Sequence, residues 1–173
     1  MLSVRSVSKP RLIECPNEDD ETPWEHDEIS SFPLGREGLR RGYYVPGRGG
    51  RSFSFEVSYS EYGLFTDELC QMVFGVDEGV VRKKYPRYRG KPFLEILAVS
   101  PIMQGDTLGP KTCGKLHGDF VAFARSAREH FAQKDIRLRN FPGYRAGPLM
   151  WSVYHNFRKS FKIGSDHGFV CYW

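Results

Sequence analysis

Across residues 52–59 apolar and polar side chains alternate. Phe53, Phe55, Val57 and Tyr59 fall on one side of an extended chain, with Ser52, Ser54, Glu56 and Ser58 on the other. A period of two predicts a strand with one buried face. The period then lengthens: Phe65, Leu69, Met72 and Val73 recur at helical spacing, with Ser60 placed to cap the helix and Gly75 to end it. Residues 93–99 are almost continuously apolar, which predicts a central strand covered on both faces. After a turn at 104–109, Pro110 suits a first helical position, because its missing N–H has no helical partner there. Leu116, Phe120, Phe123, Ala127 and Phe131 then form one stripe of a long helix. A Pro/Gly-rich connection over 140–148 leads to a second amphipathic helix through Met150, Val153, Tyr154, Phe157 and Phe161, stopped by Gly164. Residues 168–173 read as a short closing strand. The order β-α-β-α-α-β predicts an α+β domain over residues 52–173, a small sheet packed with about three helices.

The preceding stretch reads differently. Residues 12–35 hold eight acids (Glu14, Glu18, Asp19, Asp20, Glu21, Glu25, Asp27 and Glu28) and no Lys or Arg, although the whole chain of 173 residues carries a formal charge of +4. Pro10, Pro16, Pro23, Pro33 and Pro46 punctuate it, and Gly47, Gly49 and Gly50 supply a hinge. Residues 1–51 are therefore expected as an acidic, partly disordered extension of a basic body. The acidic stretch either stays solvated or folds back over a basic face until a polyanion competes for it.

Composition narrows the class. With 40% apolar and 14% aromatic residues the chain must bury a core, and no apolar run is long enough to span a membrane. Cys15, Cys70, Cys113 and Cys171 are far apart, with no CxxC pair. That spacing speaks against a zinc finger or a disulfide framework and for free thiols in a reducing, cytoplasmic setting.

Candidate chemistry is sparse. Asp106, His117, Asp119, Asp166 and His167 lie near expected element ends and would suit a small hydrolase if they converged. His117 and Asp119 are two apart on a helix, which points them to different faces. Asp166 suits a turn cap. Cys113 has His117 four residues on, a spacing that could activate a thiol. No nucleophile elbow, phosphate cradle, metal-ligand set or cofactor motif is present, and neither a metal nor a cofactor is expected. The most suggestive segment is 82–91, where Arg82, Lys83, Lys84, Arg87, Arg89 and Lys91 interleave with Tyr85 and Tyr88. Cations neutralise phosphates and exposed aromatics stack on unpaired bases. A second aromatic and basic cluster, Phe141, Tyr144, Arg145 and Trp151, suits protein recognition, where Tyr, Trp and Arg dominate binding energy.

Several motifs carry a resemblance. They are Ser58-Tyr59-Ser60 with Tyr62, Pro92 to Leu97 leading to Gly105-Asp106-x-Leu108-Gly109-Pro110, Leu116 with Asp119, Phe120 and Phe123, and Tyr154 with Phe157, Ser160, Phe161, Gly164, Gly168 and Val170. Together these resemble a family of small single-domain bacterial and phage proteins. The resemblance covers about residues 52–173 and implies a shared fold, with no activity attached. Where that family carries an Asp-Cys-x-Gly turn this chain has Ile102-Met103-Gln104-Gly105, and where it ends near Phe-His this chain has Tyr172-Trp173.

The expectation from sequence is a non-enzymatic, macromolecule-binding accessory protein of the inhibitor or immunity type, with a protein partner. Nucleic-acid binding through 82–91 is the alternative, and an Asp/His hydrolase stands third.

Overall fold

In the computed structural model the described residues are 1–13, 30–32, 37–40, 42–98, 107–139 and 150–172. They form strands β1 (Leu2–Val7), β2 (Pro10–Ile13), β3 (Ser30–Phe32), β4 (Gly42–Pro46), β5 (Ser52–Val57), β6 (Thr107–Leu108) and β7 (Phe169–Tyr172). The helices are α1 (Tyr59–Phe74), α2 (Glu78–Lys83), α3 (Tyr85–Tyr88), α4 (Leu94–Ala98), α5 (Pro110–Ala122), α6 (Ala124–Arg139) and α7 (Met150–Gly164). One antiparallel sheet runs β5-β1-β7-β6 and a second runs β2-β4-β3. The class is α+β, as the sequence predicts.

Strand β1 overturns part of the expected organisation. Leu2–Val7 is no extension: it lies between β5 and β7, with Val4 opposite both Phe55 and Tyr172. Leu2 and Val4 are buried under the helices in the main core, and Val7 is buried on the reverse face with Tyr44 and Phe169. Strands β2, β3 and β4 of the smaller sheet also fall within the expected extension, while residues 14–29, 33–36 and 41 lie outside the described residues.

The helices pack on one face of the larger sheet. Alternation along β7 divides its side chains: Val170 and Tyr172 join the main core, while Phe169 and Cys171 join Val7 and Tyr44 on the reverse face. Phe157 of α7 is the hub of the main core, with ring centroids 5.0 Å from Phe55, 5.2 Å from Phe65 and 5.9 Å from Tyr62. Two buried phenols find carbonyl partners there. Tyr62 donates to Ile96 O at 3.0 Å and Tyr154 to Phe120 O at 2.7 Å, so neither hydroxyl is left to offset the burial of its ring.

Local chemistry sets the helix ends. Ser58, not Ser60, caps α1 in a reciprocal box with Glu61, and Gly75 ends it at φ +68°, where a side chain would be strained. Gly109 has no side chain to cap α5, and Glu37 substitutes for it from far up the chain. Its carboxylate accepts from the backbone N–H of Lys111 at 2.6 Å and of Thr112 at 3.0 Å. A negative charge at a helix N-terminus is favourable for the same reason that the free N–H groups need it. The stripe from Leu116 to Phe131 is real but broken at Phe123, where the chain leaves α5 and enters α6. Gly168 is required by close approach: a Cβ there would stand 1.8 Å from Val7 O, where β7 meets β1.

Two further expectations are corrected. Residues 94–98 are helical, not a central strand, since a short apolar run fits either element and burial alone does not choose between them. Phe93 holds φ +60° just before this helix, and its N–H donates to Asp119 Oδ2 at 2.9 Å. The place of a central strand is taken by β1. The basic segment 82–91, expected as a loop, is mostly wound into α2 and α3.

Candidate nucleic-acid interface

Helix α7 buries Met150, Val153, Tyr154, Phe157, Ser160, Phe161 and Gly164 and therefore presents the intervening positions outward. These include Ser152, His155, Lys159 and Lys162, which recur at three-to-four spacing, with Arg158 beside them. No Asp or Glu occurs anywhere in the helix. Trp151, Ser152, His155, Arg158, Lys159 and Lys162 line an open groove of about 550 Å³. Lys159 and Lys162 also line an adjoining groove, of about 550 Å³, together with Lys9, Arg51 and Asp166. Because the two lysines are shared, the cationic surface is continuous from the first turn of α7 to the junctions flanking β1.

The elements hold this surface in place. The chain turns between β1 and β2 at Lys9, whose φ of +44° is sustained by an N–H bond to Asp166 O at 3.0 Å. Ser8 N–H donates to Arg51 O, and Arg51 N–H donates back to the Ser8 hydroxyl, both at 2.9 Å. That pair of bonds sets Arg51 beside Lys9. Lys159 Nζ sits 3.7 Å from the centroid of Phe53, a cation held against a ring instead of a carboxylate. Lys9 pairs with Asp166 at 3.6 Å. Among the described residues Arg51, Arg158, Lys159 and Lys162 make no ion pair. His117, half-buried on α5, feels this field: its pKa lies below the usual histidine value because of burial first, then the positive charges of Arg158 and Lys162. An anion would relieve that repulsion. At the other end the Trp151 ring is stacked 5.3 Å from Tyr154 and lies 5.5 Å from His155, which fixes its orientation.

The residues singled out by sequence are distributed as follows. Phe141, Tyr144, Arg145 and Asp106 lie outside the described residues. Trp151 lines the α7 groove. Arg82 is committed to Glu78, at 2.5 Å, and Tyr88 packs on Phe74 with centroids 5.0 Å apart. Lys83, Lys84, Tyr85, Arg87, Arg89 and Lys91 are exposed. Asp119 serves structure: besides Phe93 N–H it pairs with Lys115 at 2.9 Å. His117 lies against α7, while Asp166 engages Lys9, and His167 is exposed at φ +54°. Among the described residues no group of three or more His, Cys, Asp or Glu could hold a metal ion. Cys113 is not poised for chemistry either. Its thiol is buried, donates to Leu108 O at 3.2 Å, and burial raises its pKa, so it stays protonated.

Sequence reasoning missed Arg158, Lys159, Lys162, Lys9 and Arg51. The first three had a signal: a run of cations with no acids on the polar face of a helix whose apolar face was legible. Lys9 and Arg51 had none, since only the folded sheet brings them to α7.

No family model, no curated protein and no solved structure matches this chain. Among the described residues no helix is long and apolar enough to cross a membrane.

Proposed function

We propose that this protein is a non-enzymatic nucleic-acid-binding protein that lays a phosphate backbone along the outer face of α7. The observation that carries this reading is the continuous cationic surface of Arg51, Arg158, Lys159 and Lys162, which make no ion pair among the described residues; the one acid lining the two grooves, Asp166, pairs with Lys9. Surface cations are usually interspersed with acids, and a groove whose lining is dominated by one sign of charge focuses potential on an anionic ligand. Trp151 and His155 at one end add rings on which a base can stack. The cytoplasm is the compartment that fits, with Cys70 and Cys113 both free thiols and buried. This ranks nucleic acid above the protein partner that the sequence favours for the aromatic cluster, three of whose four residues lie outside the described structure.

The test is fluorescence polarisation with a labelled single-stranded oligonucleotide of mixed sequence. The parent binds at low salt, and reversing charge in Lys159→Glu with Lys162→Glu abolishes that binding while circular dichroism stays unchanged. Equal affinity in parent and variant would remove the proposal.

A further inference from the structure

A third groove, of about 550 Å³, lies away from α7. Phe74, Tyr88, Pro92 and Phe123 are half-buried in it, and Arg87 and Lys91 stand exposed at its edge. The floor is fixed. Tyr88 packs on Phe74, and Phe123 packs edge-on against the buried Phe93 with centroids 5.5 Å apart. The edge is held by the turn at Gly90, φ +77°, where Lys91 N–H donates to Tyr88 O at 2.9 Å. Lys83, Lys84 and Arg89 add positive charge on the same short segment. The neighbouring acids are already engaged: Glu78 by Arg82, and both Glu95 and Asp119 by Lys115.

We propose that this groove docks an acidic peptide segment of a partner protein, with one large apolar side chain seated on the floor of Phe74, Tyr88 and Phe123 and its carboxylates against Arg87 and Lys91. Charge complementarity selects the acidic partner. The half-buried carbon floor selects a peptide over nucleic acid, because an anchor in an apolar pocket ringed by charge is how protein segments are recognised. A phosphate backbone instead asks for a row of cations, which is what α7 offers. The proposal goes beyond the α7 reading and does not depend on it.

The experiment uses the full chain and three fluorescein-labelled synthetic peptides measured by polarisation. One is rich in Asp and Glu around a single central Trp, the second replaces that Trp by Ala, and the third replaces the acids by Asn and Gln. The first peptide binds. Both altered peptides bind about tenfold more weakly or worse, and so does the first peptide to the variant Arg87→Glu with Lys91→Glu. The variant Lys159→Gln with Lys162→Gln leaves peptide binding unchanged. Three results would each overturn the proposal: no binding of the first peptide up to about 1 mM, binding indifferent to the Trp, or loss confined to the α7 variant. If Arg87→Glu with Lys91→Glu instead abolishes oligonucleotide binding and leaves the peptide untouched, the groove belongs to nucleic acid.

Discussion

Salt dependence gives the α7 surface its sharpest test. Four cations of the two adjoining grooves, Arg51, Arg158, Lys159 and Lys162, are free of ion pairs among the described residues, while Lys9 is shared with Asp166. Each phosphate neutralised on a single strand contributes roughly −0.7 to the slope of log affinity against log salt, so four give about −2.8. Between about 50 and 200 mM salt the parent therefore loses about 50-fold in affinity. Neutralising two of the four, in Lys159→Gln with Lys162→Gln, leaves a slope of about −1.4 and a loss of only about sevenfold over the same range. Polarisation titrations of a labelled oligonucleotide at four or more salt concentrations read both slopes directly. The change of slope matters more than the change of affinity, because a variant damaged elsewhere would bind more weakly without altering the number of ions released. An internal control is available in His117. Removing the charge of Lys162 raises its pKa toward the usual value, a shift that histidine resonances in a pH titration would register without any ligand. If the two slopes agree, or the parent's slope is flatter than about −1, the cations of α7 do not carry the binding.

Other outcomes follow from the fold. Deleting residues 1–8 removes β1 from the middle of its sheet, so the truncated chain should lose its cooperative thermal transition; a domain that melts normally without them would restore the reading of an extension. Asp119→Ala takes the acceptor from Phe93 N–H, held at φ +60°, and should cost about 1.5–3 kcal/mol in urea denaturation, with no effect on oligonucleotide affinity. The buried thiols act at high pH. Cys70 is pushed up to about 12, by burial and by the carboxylates of Glu78 and Asp67, from 9.0 when unfolded. Its neutral form is thus favoured by folding, and stability should fall as pH rises from about 9 toward 12, less steeply in Cys70→Ala. Stability that holds level across that window would contradict the burial of the thiol.

Much of the architecture was written locally. Phe53, Phe55 and Val57 announce β5, the stripe of α7 names its own buried face, and Pro110 and Gly75 mark ends that the structure keeps. What escaped depends on distant partners. Leu2 and Val4 alternate like any strand, yet β1 stands beside a proline-punctuated acidic stretch that reads as an extension, and only β5 and β7 closing on it make it part of the sheet. The apolar run at 94–98 is ambiguous by nature, and the Asp119 contact that sets Phe93 is 26 residues away in sequence. The candidate site divides the same way. The basic helices at 82–91 are visible as composition, and their groove is not, because Phe74 and Phe123 come from other elements. On α7 the apolar stripe is legible in the sequence, whereas the cations of the opposite face gain meaning only beside Lys9 and Arg51.

The pairing of β1 with β7 has a consequence for biosynthesis. The two strands are separated by about 160 residues, so at about 5–20 residues per second β1 leaves the ribosome some 8–32 seconds before its neighbour exists. During that interval β1 can pair only with β5, along one edge, and its other edge stays open. Contacts of such long range also slow the final closure of the sheet. Nascent molecules of this protein should accordingly be clients of chaperones that hold exposed strand edges until β7 has emerged.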